Sequence, residues 1–214
     1  MSDDLYDRPD PSEDNVSRRD FLKGLSGSVA ATAALMTGEE EKANAQEVPP
    51  ATGTRLKGVV RVKLNINGET KTADVEPRTT LVNALRDYLD LTGAKKVCDR
   101  GSCGACTVIV DGKTVYSCSM LAVDAQGKKI TTVEGLGSPE HMSPVQEAFV
   151  TYDGLMCGFC TPGFVMSCTA LLQHNPNPTL AQVKEGCSGN ICRCGTYPRV
   201  FEAALAAAKK MRGA

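Results

Sequence analysis

From Val60 to Ile66 apolar and polar side chains alternate: Val60, Val62, Leu64 and Ile66 against Arg61, Lys63 and Asn65. That two-residue period predicts a half-buried strand. Asn67-Gly68 supplies the positive-φ residues of a tight hairpin turn, and Glu69 to Val75 reads as the return strand. The period then lengthens. Thr79 or Thr80 can cap a helix whose apolar face is Leu81, Leu85 and Leu89, spaced by four. Thr107–Val110, the turn Asp111-Gly112 and Lys113–Tyr116 predict a second hairpin, and Ile130–Val133 a last strand. Together these elements predict a compact α+β fold with a helix lying across a sheet.

From residue 140 to 212 the pattern is helical. Ser143-Pro144-Val145-Gln146 carries a capping Ser, a Pro at the first helical position and a Gln that completes a capping box. Thr161-Pro162 starts a second helix with Phe164, Val165, Cys168, Leu171 and Leu172 along it. Thr179-Leu180-Ala181-Gln182 is another capping box, and Tyr197-Pro198 leads into an Ala-rich helix with Val200, Phe201, Ala204, Leu205 and Ala208. Four short helices of this kind imply a small bundle.

Apolar residues make up 42% and charged residues 23% of the 214 positions, ordinary for one or two small globular domains. No run of about 18 uninterrupted apolar residues predicts a membrane span. The net charge of −1 hides an acidic N-terminus, with 10 Asp and Glu against 5 Lys and Arg in residues 1–45. The remainder is mildly basic but has no basic stretch interleaved with aromatics, which argues against a nucleic-acid partner.

The N-terminal segment has the layout of an address. Ser17-Arg18-Arg19-Asp20-Phe21-Leu22-Lys23 precedes a weakly apolar run from Gly24 to Met36, and Ala43-Asn44-Ala45 offers small residues for cleavage. This resembles a twin-arginine export signal over residues 1–45, cut after Ala45, which implies the periplasm. An amphipathic tail with a chance arginine pair is the alternative. Glu39-Glu40-Glu41 stands unusually close to the cut. The twin-arginine route carries folded proteins, so a metal centre built on reduced cysteines can be exported intact. Residues 46–57, with Pro49-Pro50 and Gly53, read as a linker.

Cysteine is the outlier. All ten lie from Cys98 onward, and such clustering means disulfides, zinc or an iron–sulfur centre. Cys98, Cys103 and Cys106, with Cys118 after them, have the C-x4-C-x2-C…C spacing of a plant-type [2Fe–2S] site. Gly101 and Gly104 permit the close wrap that points backbone N–H groups at sulfur. Zinc favours paired C-x2-C knuckles, and among these four only Cys103 and Cys106 have that spacing; zinc and disulfides remain alternatives. Cys157-Gly158-Phe159-Cys160 and Cys192-Arg193-Cys194 each lie just before a helix start. Residues two apart on a helix point in opposite directions, so Cys192 and Cys194 can share a centre only from a loop. Helix N-termini would stabilise thiolates there, a reason to join the four into one site. A redox dithiol is the alternative for Cys157 and Cys160, but no βαβ pattern surrounds them.

Three motifs, CDRGSCGACTV at 98–108, CGFCTPGFVMS at 157–167 and GNICRCGTYPRV at 189–200, carry a resemblance. The chain is similar, over residues 58–211, to the small iron–sulfur subunits of the xanthine dehydrogenase, aldehyde oxidoreductase and carbon monoxide dehydrogenase family of molybdenum hydroxylases. With its export signal it looks most like a periplasmic aldehyde oxidoreductase subunit. The resemblance implies a plant-ferredoxin-like β-grasp domain at 58–137 and a four-helix bundle at 138–214. It implies one [2Fe–2S] cluster on Cys98, Cys103, Cys106 and Cys118, and another on Cys157, Cys160, Cys192 and Cys194. It also implies partners: a large subunit with the molybdenum–pterin centre and the substrate site, and a subunit with FAD. This chain would then relay single electrons and hold no catalytic residue.

Two positions depart from the family pattern. Met156 stands where the family often has Gln, which excludes a side-chain hydrogen bond to the pterin. Cys194-Gly195-Thr196-Tyr197 replaces the frequent C-T-G-Y, so the local turn is expected to differ. Cys168 and Cys187 match no ligand position; Cys168 reads as a buried structural thiol, and a disulfide between the two needs a geometry that spacing cannot supply. His141 and His174 read as surface or cap residues, and Phe159 as packing. A free-standing ferredoxin-like carrier and a secreted disulfide-stapled binding protein are the competing functions.

Overall fold

The computed structural model describes residues 56–213; the expected export signal, its expected cleavage after Ala45 and most of the expected linker lie outside the described residues. The first half is a five-stranded mixed sheet, β1 (Val60–Ile66), β2 (Glu69–Val75), β3 (Thr107–Val110), β4 (Lys113–Tyr116) and β5 (Lys129–Thr131). The strand order is β2-β1-β5-β3-β4. β1 runs parallel to β5 and the other pairs are antiparallel. Both hairpin turns form at the predicted residues, with Asn67 and Gly68 at φ 54° and 86° and Asp111 and Gly112 at 49° and 79°. This twist matches that of the flanking strands. The alternation in β1 buries Val62, Leu64 and Ile66 and exposes Arg61, Lys63 and Asn65.

Two expectations shift at their edges. The helix after β2 is one α-helical turn, α1 (Leu81–Asn83), which widens into a π-type turn over Ala84–Tyr88. Thr80 is its N-cap but its side chain makes no cap bond; the backbone there is engaged elsewhere, with the Leu81 N–H donating to Met120. Leu81 and Leu85 still bury fully. The last strand is Lys129–Thr131, and Val133 begins a 3₁₀ turn instead of ending the strand.

The second half contains α2 (Pro144–Thr151), α3 (Thr161–His174), α4 (Leu180–Gly186) and α5 (Tyr197–Met211). Both capping boxes close. Ser143 Oγ accepts from the Gln146 N–H and Gln146 Oε1 from the Ser143 N–H; Thr179 and Gln182 repeat the exchange. The helices share an apolar core of Val145 and Phe149, Phe164 and Leu172, Val183, and the Val200, Ala203, Ala204, Ala207 stripe of α5. Alanines on that stripe let α2 lie close along α5. The two halves join where α3 lies against β3, around Ile109, Met166 and Ala170. β3 is therefore buried on both faces. The α+β class read from the sequence matches this mixed sheet with helices.

Candidate metal centres

The first cysteine loop is braced before it begins. The Arg86 guanidinium donates to the carbonyls of Thr92 and Ala94 at 2.7 and 3.0 Å, and the Lys95 N–H donates to Ala105 at 3.0 Å. Between these anchors Asp99, Gly101 and Gly104 take left-handed angles of φ 55°, 70° and 69°. A Cβ on Gly101 would come within 2.8 Å of Ser119 Oγ, so this turn has both the angle and the crowding that require glycine. The wrap aims successive amides at sulfur: Gly101 N–H at Cys118 Sγ, 3.2 Å, and Ser102 N–H at Cys98 Sγ, 3.3 Å. Cys98 neighbours Cys103, and Cys106 neighbours Cys118. Cys118 arrives on a 3₁₀ turn, Ser117–Ser119, directly after β4. The buried Ser117 hydroxyl and its N–H both donate to the Cys106 carbonyl, at 2.7 and 3.3 Å, and pin the two segments together.

The second group assembles at two helix starts, as the spacing predicts. Cys160 is the N-cap of α3, and Cys194 lies two residues before Thr196, the N-cap of α5. Cys160 neighbours Cys192 and Cys157 neighbours Cys194, with Cys192 also acting on Cys157 and Cys157 on Cys160. At the departing Cys194-Gly195-Thr196 turn, Gly195 is left-handed at φ 80°. Thr196 then reaches back: its hydroxyl lies 3.1 Å and its N–H 3.5 Å from Cys192 Sγ. Tyr197 Oη accepts the Cys192 N–H at 2.8 Å. Sequence reading missed Thr196 and Tyr197 as supports of this site; their place immediately after the last cysteine was the available signal.

The thiol acidities reflect these neighbourhoods. The Arg100 N–H, helped by Ser102, draws Cys98 down to about 7, whereas burial pushes Cys106 up to about 11. Burial, then the neighbouring Cys192, pushes Cys160 up to about 12. Burial also works against Cys192 ionising, but the Thr196 hydroxyl and N–H outweigh it and bring it down to about 7. The Phe159 N–H lowers Cys157, and Cys157 in turn raises Cys194. Cys106, Cys160 and Cys194 are each raised in part by a neighbouring thiol, so anionic sulfurs packed this closely favour a cationic centre between them. Left-handed loop residues, amides aimed at sulfur and thiols paired as Cys98 with Cys103, Cys106 with Cys118, Cys160 with Cys192 and Cys157 with Cys194 are a donor chemistry compatible with iron–sulfur clusters.

The two cysteine loops touch. The Ile191 N–H donates to the Cys103 carbonyl at 3.0 Å, and Tyr116 Oη donates to Gly189 at 3.1 Å. Beside the contact lies an apolar cleft of about 300 Å³ lined by Val97, Cys103, Ala105, Cys160, Ile191 and Arg193, among others. Its rim is exposed: Val97, Phe159 and Ile191 are each more than half accessible. Phe159, expected to pack, instead stands on this rim. Met156 is 71% exposed, in a second cleft beside Cys194 and Arg199.

The residues outside the two groups lie as expected. Cys168 and Cys187 are both buried and their sulfurs are 3.6 Å apart. His141 is exposed. His174 is exposed at the end of α3 and its Nε2 donates to Gly112 across the two halves, 2.9 Å.

Comparison with known proteins places this geometry. Residues 64–132 match the model of the 2Fe-2S iron-sulfur cluster binding domain, and residues 132–205 that of the [2Fe-2S] binding domain. Residues 15–36 match the twin-arginine translocation pathway signal sequence. The aldehyde oxidoreductase iron-sulfur-binding subunit PaoA of Escherichia coli (strain K12) is 39% identical over 225 residues, 98% of this chain and 96% of the relative. The nicotine 6-hydroxylase small subunit of Paenarthrobacter nicotinovorans is 48% identical over 68% of this chain and 88% of its own length. Among solved structures, quinoline 2-oxidoreductase from Pseudomonas putida 86 contains a chain with TM-score 0.70 and 40% identity, covering 73% of this chain and 98% of that one. The chain therefore belongs to the family of small [2Fe–2S] iron–sulfur subunits of the xanthine dehydrogenase and aldehyde oxidoreductase enzymes, the molybdenum hydroxylases.

Proposed function

We propose that this chain is the electron relay of an exported, aldehyde oxidoreductase-like molybdenum hydroxylase working in the periplasm. Cys98, Cys103, Cys106 and Cys118 hold one [2Fe–2S] cluster in a ferredoxin-like β-grasp domain, residues 58–137. Cys157, Cys160, Cys192 and Cys194 hold the other in a four-helix bundle domain, residues 138–214, after a signal over 1–45 and a linker over 46–57. Each cluster, when bound, takes up and releases one electron. The chain does the rest: it grips the sulfurs, aims amides at them, excludes water with two apolar cores, and spaces the sites. A large subunit holds the molybdenum–pterin centre, and FAD on a further subunit, or another acceptor, receives the electrons.

The single observation that carries this reading is the bond from the Ile191 N–H to the Cys103 carbonyl, which joins the two cysteine loops directly. A free-standing carrier needs only the first half of the chain. The exposed apolar side chains Phe159 and Ile191 on one cleft and Met156 on the next favour a complex, because apolar surface beside the exposed Cys157 and Cys194 is what a covering subunit would use.

Electron paramagnetic resonance of the dithionite-reduced native complex tests the reading. Two distinct signals are expected, and Cys157→Ser should abolish one while leaving the other. Co-purification of larger subunits on size exclusion separates the relay from the free carrier. Anaerobically prepared material with two irons or fewer per chain, or with these sulfurs bridged or zinc-bound, would overturn it.

A further inference from the structure

One buried side chain sits at the contact between the two loops without a role in the reading above. Asn190 is 5% exposed. Its Nδ2 donates to the Gly104 carbonyl at 3.0 Å, and its Oδ1 accepts from Ser167 Oγ at 2.7 Å. Gly104 lies between Cys103 and Cys106, Ser167 lies on the helix that Cys160 caps, and Asn190 is two residues before Cys192. One amide thus ties together three segments that carry proposed ligands.

The backbones around it leave no slack. A Cβ on Gly104 would stand 2.5 Å from the Gly189 carbonyl and 2.6 Å from Asn190 Nδ2. On Gly163 it would stand 2.3 Å from the Gly104 carbonyl, and on Gly189 1.9 Å from Tyr116 Oη. Cohesion alone does not ask for this arrangement, since Ile109, Met166 and Ala170 already join sheet and helix. A buried amide adds little net stability, because its desolvation offsets most of what its bonds return; two directional arms do fix position.

Successive residues pair here: Asn190 with Gly104 through the side chain, Ile191 with Cys103 through the backbone. We infer that Asn190 is a positioning residue for electron exchange, fixing the length and angle of the Cys103 C=O···H–N Ile191 bridge between the two cluster-holding loops. The inference rests on the ligand assignment proposed above. The exchange moves one electron from the donor site to the acceptor site; no proton moves and no bond is made or broken.

The test uses the native complex with its partner subunits. Asn190→Asp keeps the volume and still accepts from Ser167, but sets an oxygen against the Gly104 carbonyl. Ser167→Ala removes the other arm alone. Two readouts are taken: the magnetic coupling between the two reduced centres, and the freeze-quench rate of electron equilibration between them. Asn190→Asp should keep both resonance signals at full intensity, weaken the coupling and slow equilibration severalfold. Ser167→Ala should move both readouts the same way by less. Wild-type coupling and exchange in variants with both signals intact would overturn the inference and leave the ligand assignment standing. Should Asn190→Asp lose a centre, Ser167→Ala decides by the same criterion. A wild-type complex with fewer than two signals would instead sink the ligand assignment, and the inference with it.

Discussion

Tyr197 Oη accepts the backbone N–H of Cys192 at 2.8 Å, so the first residue of α5 holds the loop that delivers two cysteines. The ring is itself fixed, edge-on to Phe164 with centroids 5.9 Å apart at 81°. Tyr197→Phe keeps the ring packing and strands one partly buried amide. Stability should fall by about 1 kcal/mol, the usual net value of one such bond, read by thermal unfolding. Iron should be lost first from the second site on dilution, with the first site's resonance unchanged.

Cys168 and Cys187 face each other inside the helical core. Cys187 is lowered by its bond with Cys168, and Cys168 is raised by the same contact. Neither belongs to the two proposed ligand sets. Cys168→Ser puts a hydroxyl in an apolar site and should cost about 1–3 kcal/mol. Iron content per folded chain should stay at the wild-type value. Cys160→Ser, by contrast, should halve it.

Gly163 lies in the first turn of α3, where Gly→Ala would ordinarily stabilise a helix by about 1 kcal/mol. Here the added methyl would stand 2.3 Å from the Gly104 carbonyl, and backbone on both sides cannot yield cheaply. The clash should win, so Gly163→Ala is expected to lower the melting temperature. An unchanged or raised value would show that the contact between the halves is looser than described.

In chain freed of iron and kept reduced, alkylation should follow acidity and access, because the thiolate is the reacting species. At pH 7 a thiol with its pKa near 7 is about half ionised, whereas one near 11 is ionised to about one part in ten thousand. Cys98, at about 7 and partly accessible, should react early; Cys106, at about 11 and buried, should react late. Cys157, exposed and lowered, should precede Cys160, which is held at about 12. Timed iodoacetamide quenching with peptide mass spectrometry reads the order. Raising the pH by two units should narrow the gap within each pair.

Much of the fold was legible because it is local. The β1 alternation, the Asn67-Gly68 and Asp111-Gly112 turns and the two capping boxes each depend on residues within a few positions. What went astray was long-range: the turn at Leu81 widens while the backbone is tied to Met120 and Leu121, and no spacing rule contains those partners. Phe159 stands exposed on the rim of a cleft whose other walls come from two distant loops.

The order and spacing of the cysteines by themselves proposed two groups of thiols, and the flanking Thr161-Pro162 and Tyr197-Pro198 placed each pair of the second group beside a helix start, as the structure shows. Such pairs are set by short stretches of backbone, and short stretches obey local rules. Tertiary structure alone decided how the sets meet. The Cys103–Ile191 bond, the reach of Asn190 to Gly104 and the close approach of Gly104 to Gly189 join positions more than eighty residues apart. They form only when α3 packs on β3, because that burial brings two otherwise independent loops within hydrogen-bonding distance.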